Sequence, residues 1–329
     1  MKILLIRADG IGDALACAPL VAALRAAGHE LGIVLGTRNR DAFARQTFAH
    51  VHVLQRIPWP AHGATPESRD AALRAVRALR YDVALVASEE LDAYAFARAA
   101  RIPMRVGFIN GWEKPLKTLQ VRSLLTRALV RSASATRVRE HEAVTLFGLG
   151  AGLHAEDEPT RDVARLRAVV LDAAAVPHRY VVLQVSHKFA AFGLDTAAYA
   201  TLARELGWRQ VHALAVGDDA ALVARVAEDA GIAGEAELTV PAWKARIAGA
   251  RAVVTPDSGA AHVAGMVGVP VVDCFAPRPT VARDVARWRP WAAPVRFRVL
   301  DPTHDAEALA ERLARDVAAL VAWRKPVPA

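Results

Sequence analysis

The chain has 329 residues, 53% hydrophobic and 23% charged, which excludes a disordered polymer and gives more apolar material than one core ordinarily serves, so two domains are expected. No apolar stretch approaches the roughly 18 residues of a membrane span, and the N-terminus enters a strand-like run instead of a secretory signal, so the expected location is the cytoplasm. The net charge is +8, and the excess lies in residues 1–150, with 21 Lys and Arg against 13 Asp and Glu, while residues 151–329 balance at 21 against 21.

In chain order, the first strand is KILLIRA (2–8), followed by the loop RADGIGD and a helical stretch, ALACAPLVAALRAAG. Strands follow at 30–36, 51–57, 81–87 and 104–109, each leading into helix or loop. That alternation is the mark of a parallel sheet covered by helices on both faces. Residues 98–139 then hold ten basic residues, among them Arg98, Arg101, Lys114, Lys117 and Arg122, with Glu113 as the one acid. Such charge reads either as a solvated arginine-rich face or as a surface for an anionic partner. The acidic, glycine-led segment after residue 150 breaks the rhythm. A second series of strands follows at 180–186, 210–216, 236–240, 251–257 and 271–276. The expectation is an α/β chain of two tandem Rossmann-like, doubly wound domains, 1–160 and 161–329. A long amphipathic helix is expected over about 305–323, stopped by Pro326 and Pro328. Cys17 and Cys274 each lie in apolar segments and read as buried free thiols; no metal site is indicated.

The loop after the first strand resembles a dinucleotide fingerprint only in part. Gly10 and Gly12 fit G-x-G, but Leu15 stands at the third glycine position, and no carboxylate follows the second strand. The glycines leave a backbone that can turn tightly and approach a ligand closely. Asp13 opens the next helix, where it is either a cap for free backbone N–H groups or, at the carboxyl edge of a parallel sheet, a general base. It would repel a phosphate.

The second domain offers the better phosphate site. The strand RAVVTPD ends at Asp257 and runs into Ser258, Gly259 and Ala260, small residues that expose N–H groups at a helix start. His262 lies one turn further on and reads as a phosphate contact or as a core histidine; Asp257 reads as a sugar ligand or a cap.

Taken together, KILLIRADGIGDALACAPLVAALR, TPDSGAAHVAGMVGVPVVDCFAP and RWRPW (287–291) resemble the ADP-heptose:lipopolysaccharide heptosyltransferase family, glycosyltransferase family 9. The resemblance implies a B-type glycosyltransferase fold with a cleft between its domains, a metal-independent inverting reaction, no cofactor beyond a nucleotide-sugar donor such as ADP-heptose, and a last helix that packs toward the N-terminal domain. It implies that Asp13 is the catalytic base and that Asp257, Ser258, Gly259, Ala260 and His262 bind the donor, with Ser186 after the first strand of that domain. Lys188 would face the diphosphate, although aligning LDTAAY puts Phe192 at that position; Asp218 or Asp219 would hold the ribose. Gly10, Gly12, Arg98, Arg101, Lys114, Lys117 and Arg122 would meet an anionic lipopolysaccharide core, with the protein peripheral at the cytoplasmic face of the inner membrane. The rival readings are a nucleotide-sugar epimerase or another glycosyltransferase on the same fold and, remotely, a basic nucleic-acid-binding protein, for which no recognition motif is present.

Overall fold

The computed structural model describes residues 1–55, 64–132, 140–176, 180–187, 196–206, 211–214, 220–300 and 305–323. The chain divides into two compact units, Met1–Arg161 with Ala168–Asp172, and Asp162–Arg167 with Ala173–Ala329.

In the first unit, β1 (Lys2–Ile6), β2 (Glu30–Gly36), β3 (His50–Leu54), β4 (Val83–Val86), β5 (Met104–Ile109) and β6 (Arg127–Val130) form one sheet in the order β3-β2-β1-β4-β5-β6. Every pairing is parallel. Strands buried on both faces must be apolar throughout, and ILLI of β1 and VALV of β4 meet that demand, with every residue buried. Helices Ala18–Ala26, Pro66–Leu79, Leu91–Ala99 and Pro115–Leu124 make the crossovers. Tyr94, Phe96 and Val121 from these helices join Leu4, Ile6 and Val86 in one core.

The second unit repeats the plan with β7 (Val181–Gln184), β8 (Val211–Leu214), β9 (Ala233–Glu235), β10 (Ala252–Pro256), β11 (Val271–Phe275) and β12 (Val295–Val299). Its order, β12-β11-β10-β7-β8-β9, is the same as that of the first sheet read from the other edge, and it too is parallel. In each sheet the direction of winding reverses between the first strand and the fourth, so the crevice for a ligand opens at the carboxyl ends of β1 and β4, and of β7 and β10.

Three strands depart from the sequence reading. β6 and β12 are edge strands carrying Arg127, and Arg296 and Arg298, and their exposed positions hide the apolar run that marks a central strand. The expected strand at 236–240 is instead a helix start. The Thr239 hydroxyl accepts from the Ala242 N–H and Pro241 sits in the first turn of helix Val240–Gly249, while the third strand of the unit is the short AGE just before it. The last helix, Ala306–Trp323, buries Leu309, Leu313 and Val317 in the core of the second unit beside Val254 and Val272. Arg298 of β12 holds Asp316 of that helix, with its Nη2 2.6 Å from the carboxylate.

Candidate active site

The carboxyl edge of β1 is organised by a buried arginine. Arg7, with 5% of its side chain exposed, lies 3.2 Å from Asp9 and 3.0 Å from Asp13, and also donates to the Ala87 carbonyl just beyond β4. Burial works against its charge, but Asp9 foremost, with Asp13 and Glu142, carries its pKa above the ordinary value. The guanidinium therefore stays cationic and joins the loops after β1 and β4 at the switch point. The Ser88 hydroxyl adds a bond to Asp9, 3.4 Å long.

Asp13 is pinned at both oxygens. Oδ1 meets Arg7 and Oδ2 accepts from the Gly10 N–H at 3.1 Å, in the reach-back of a helix cap, so the capping role is present. Its side chain keeps 36% exposure, so a hydroxyl in solvent can still approach the carboxylate. Gly10 has φ −85°, a conformation open to any residue. Its glycine is needed for a different reason from the tight turn expected: a Cβ there would stand 2.9 Å from Asp13 Oδ2. Gly12 lies inside the short helix Ile11–Leu15 and accepts from Ala16 N–H.

Two residues that shape this edge carry no motif. Asn39, fully buried, donates to the carbonyl of Arg7 at 3.0 Å and accepts from Gly36 N–H at 2.8 Å, tying the end of β2 to the loop. Arg7 itself reads in sequence as part of the first strand, one residue before its end. A basic residue closing an apolar strand directly before an acidic loop was the available signal.

The basic run 98–139 divides once its side chains are placed. Arg131 is buried, 2.7 Å from Glu142 and 3.0 Å from Glu89, and stacks over Phe108. Arg105 donates to the carbonyls of Leu124 and Ile102, and Arg127 to that of Ala151. Arg98 donates to Ser123 O from the last turn of helix Leu91–Ala99, and Arg101 follows between that helix and the start of β5, both at the edge of the sheet opposite to Asp13. The structure does not bring these two to the candidate site. Lys114 and Lys117 lie on the carboxyl side of β5, with Arg122 in the last turn of helix Pro115–Leu124.

In the second unit, Ser258 caps helix Gly259–Val267: its hydroxyl accepts from Ala260 N–H and shares a hydrogen bond with the Thr255 hydroxyl at 2.9 Å. The Ala260 amide, expected to face an anion, is thus taken by the cap. Asp257 is anchored through its own N–H to Cys274 O, at the head of the same turn. His262 is buried, its ring edge-on to Trp288 at 5.8 Å. The RWRPW segment braces the helix again at Gly265, where a Cβ would fall 2.7 Å from Trp291 N and 2.8 Å from Pro290 Cα. The N–H of Ala292, the residue after that segment, closes onto Gly265 O. Ser186, just past β7, donates its N–H to the Tyr199 hydroxyl at 3.3 Å and lies on the same edge, since β7 and β10 are neighbours. Lys188, Asp218 and Asp219 lie outside the described residues.

Both cysteines are buried and free, and burial pushes the Cys17 thiol up to about 12 and that of Cys274 well above its usual value. Among the described residues no three His, Cys, Asp or Glu side chains converge as metal ligands, and no helix is long and apolar enough to cross a membrane.

A search of curated proteins finds no match. Among solved structures, the chain is similar to Escherichia coli ADP-heptose lps heptosyltransferase II, at 17% identity and TM-score 0.70, over 98% of this chain and 99% of that one. It is also similar to E. coli heptosyltransferase WaaC with ADP, at 15% identity and TM-score 0.75, over 96% and 100%. A looser likeness is to a UDP-N-acetylglucosamine 2-epimerase structure from Listeria monocytogenes, described as putative, at 14% identity and TM-score 0.54, over 97% and 88%. These likenesses establish the shared two-unit fold. The model of glycosyltransferase family 9 (heptosyltransferase) matches residues 69–309. The chain therefore belongs to glycosyltransferase family 9 and is a glycosyltransferase.

Proposed function

We propose that the enzyme transfers heptose from ADP-heptose to a hydroxyl of a lipopolysaccharide inner-core acceptor, with inversion at the anomeric carbon and without a metal or further cofactor. The observation that carries this reading is Asp13, an accessible carboxylate held in one orientation by a buried arginine and a backbone N–H at the switch point of the first sheet. Family membership favours heptosyl transfer over epimerisation, and the similar WaaC structure contains ADP.

In this mechanism the acceptor hydroxyl attacks the anomeric carbon on the face opposite the diphosphate. The new C–O bond forms as the bond to the diphosphate oxygen breaks, ADP leaves, and the hydroxyl proton passes to Asp13. Direct displacement of this kind inverts the centre. The donor diphosphate is assigned to the turn Asp257–His262, where a helix start favours negative charge, with Ser186, Lys188 and Asp218 completing the donor set. Gly10, Gly12, Lys114, Lys117 and Arg122 are assigned to the anionic acceptor. The enzyme is placed in the cytoplasm, peripheral to the inner membrane, where such acceptors are anchored.

The test is to incubate the protein with ADP-heptose and a truncated core acceptor and to follow product by mass spectrometry. Loss of general-base assistance in Asp13→Asn should lower kcat about 10²- to 10⁴-fold. Full transfer by that variant would remove Asp13 from the chemistry, and failure of the wild type to bind or consume any ADP-sugar would remove the donor assignment.

A further inference from the structure

We infer that the segment from Trp112 to Leu119, which opens the helix Pro115–Leu124, is a wedge that enters the acyl layer of an anionic phospholipid bilayer. The inference deepens the peripheral membrane contact proposed above and rests on it.

Trp112 is 96% exposed, Leu116 79% and Leu119 71%. Leu116 and Leu119, three residues apart, share one side of helix Pro115–Leu124, Trp112 stands in the short turn Gly111–Glu113 just before it, and Val121, on the inward side, is buried. An isolated exposed leucine is ordinary, but here three large apolar side chains are exposed within eight residues, and two of them, Trp112 and Leu119, share one depression with exposed Val130 of β6. Trp112, Leu119 and Val130 line an open depression of about 720 Å³ together with Ile109 and Pro115. The cluster faces outward because helix Pro115–Leu124 already satisfies the core through Val121, so the fold alone gives no reason for Leu116 and Leu119 to be apolar.

Charge selects the occupant. Lys114, Lys117 and Arg122 flank the wedge, and among the described residues no carboxylate lies within ion-pair distance of any of them. Glu113, the one acid in the segment, accepts from the Ser132 hydroxyl. A second copy of the chain would set this same basic rim against itself in a two-fold contact, and a neutral apolar partner would leave the cations unmatched. An anionic bilayer satisfies both halves, with phosphates at the rim and hydrocarbon for the leucines. Tryptophan is also the side chain suited to the boundary between the two.

The test is co-sedimentation with vesicles of phosphatidylcholine containing phosphatidylglycerol, at low and high salt, for wild type, Trp112→Ser and the triple variant Trp112→Ser/Leu116→Ser/Leu119→Ser. All three side chains are exposed, so melting temperatures should match, and the single variant serves as a second reading if the triple one does not. Wild-type binding should survive in part at high salt; partitioning should fall about 10-fold in Trp112→Ser and more than about 100-fold in the triple variant. The triple variant's remaining binding should be abolished by salt. Equal binding by wild type and variants, reversed fully by salt, overturns the wedge and leaves an electrostatic membrane contact standing. No vesicle binding by the wild type overturns both. A wild-type dimer in solution that the triple variant disrupts, without vesicle binding, assigns the face to a second copy instead.

Discussion

Arg7 is the side chain whose removal should separate stability from turnover most cleanly. Its fork makes three contacts in different directions: Nε toward Asp9, Nη2 toward Asp13 and Nη1 toward the Ala87 carbonyl. Arg7→Met deletes a buried cation and leaves two carboxylates facing its place. Breaking a fully buried pair costs about 3–5 kcal/mol, but Asp9 and Asp13 keep 21% and 36% side-chain exposure, so water recovers part and about 2–3 kcal/mol is expected. At a few degrees per kcal/mol for a domain of this size, the melting temperature should drop by about 5–10 °C. Arg7→Lys keeps the charge and most of the stability but has no planar fork to hold Asp13 and the Ala87 carbonyl together. The carboxylate then samples other rotamers, and kcat should fall about 10- to 100-fold while the donor KM stays unchanged. Thermal melts and steady-state kinetics on the two variants read both effects. A lysine variant that turns over at the wild-type rate would show that Asp13 is positioned without Arg7 and would refute the argument.

Gly265→Ala places a methyl group 2.7–2.8 Å from backbone atoms of Trp291 and Pro290, which cannot yield as a side-chain tip would. The expected cost is about 1–3 kcal/mol, with weaker ADP binding by calorimetry as the RWRPW segment moves off the donor turn; unchanged stability and affinity would dismiss that segment as a brace. Because burial holds the thiol of Cys17 near 12 and raises that of Cys274, the folded protein should give almost no reaction with a disulfide reagent at mildly alkaline pH, and both thiols should appear after denaturant is added.

The central strands were legible because burial on both faces forces an unbroken apolar run, and KILLI, YDVALV and RAVV show one. The edges were not. β6 exposes two of its four residues and β12 two of its five, and β12 uses Arg296 and Arg298 to reach Asp316, a partner about twenty residues later that no local pattern announces. β9 has three residues and no apolar side chain larger than alanine. The placement of Asp13 and Asp257 was legible where it followed from topology, since each stands beyond the carboxyl end of a strand that flanks a switch point. Its support was not legible, because Asn39 and Arg7 act through contacts between loops distant in sequence.

The basic stretch shows why a count of charges cannot stand for a surface. Ten cations against one acid suggested a continuous face for an anionic partner, yet Arg131 is spent on Glu142 and Glu89, and Arg98, Arg105 and Arg127 cap backbone carbonyls. Charge bound to a carbonyl still contributes to the long-range field, so electrostatic steering toward an anionic surface survives this division. Specific contact does not: a guanidinium held by backbone has few donors left for a phosphate. Among the described residues, the cations left without a carboxylate or carbonyl partner in this part of the chain include Lys114, Lys117 and Arg122, and these are the ones beside Trp112, Leu116 and Leu119 in sequence. Charge and exposed apolar surface thus coincide on one short helix and the turn that precedes it, and salt should separate their contributions, since screening weakens the lysines and leaves the tryptophan untouched.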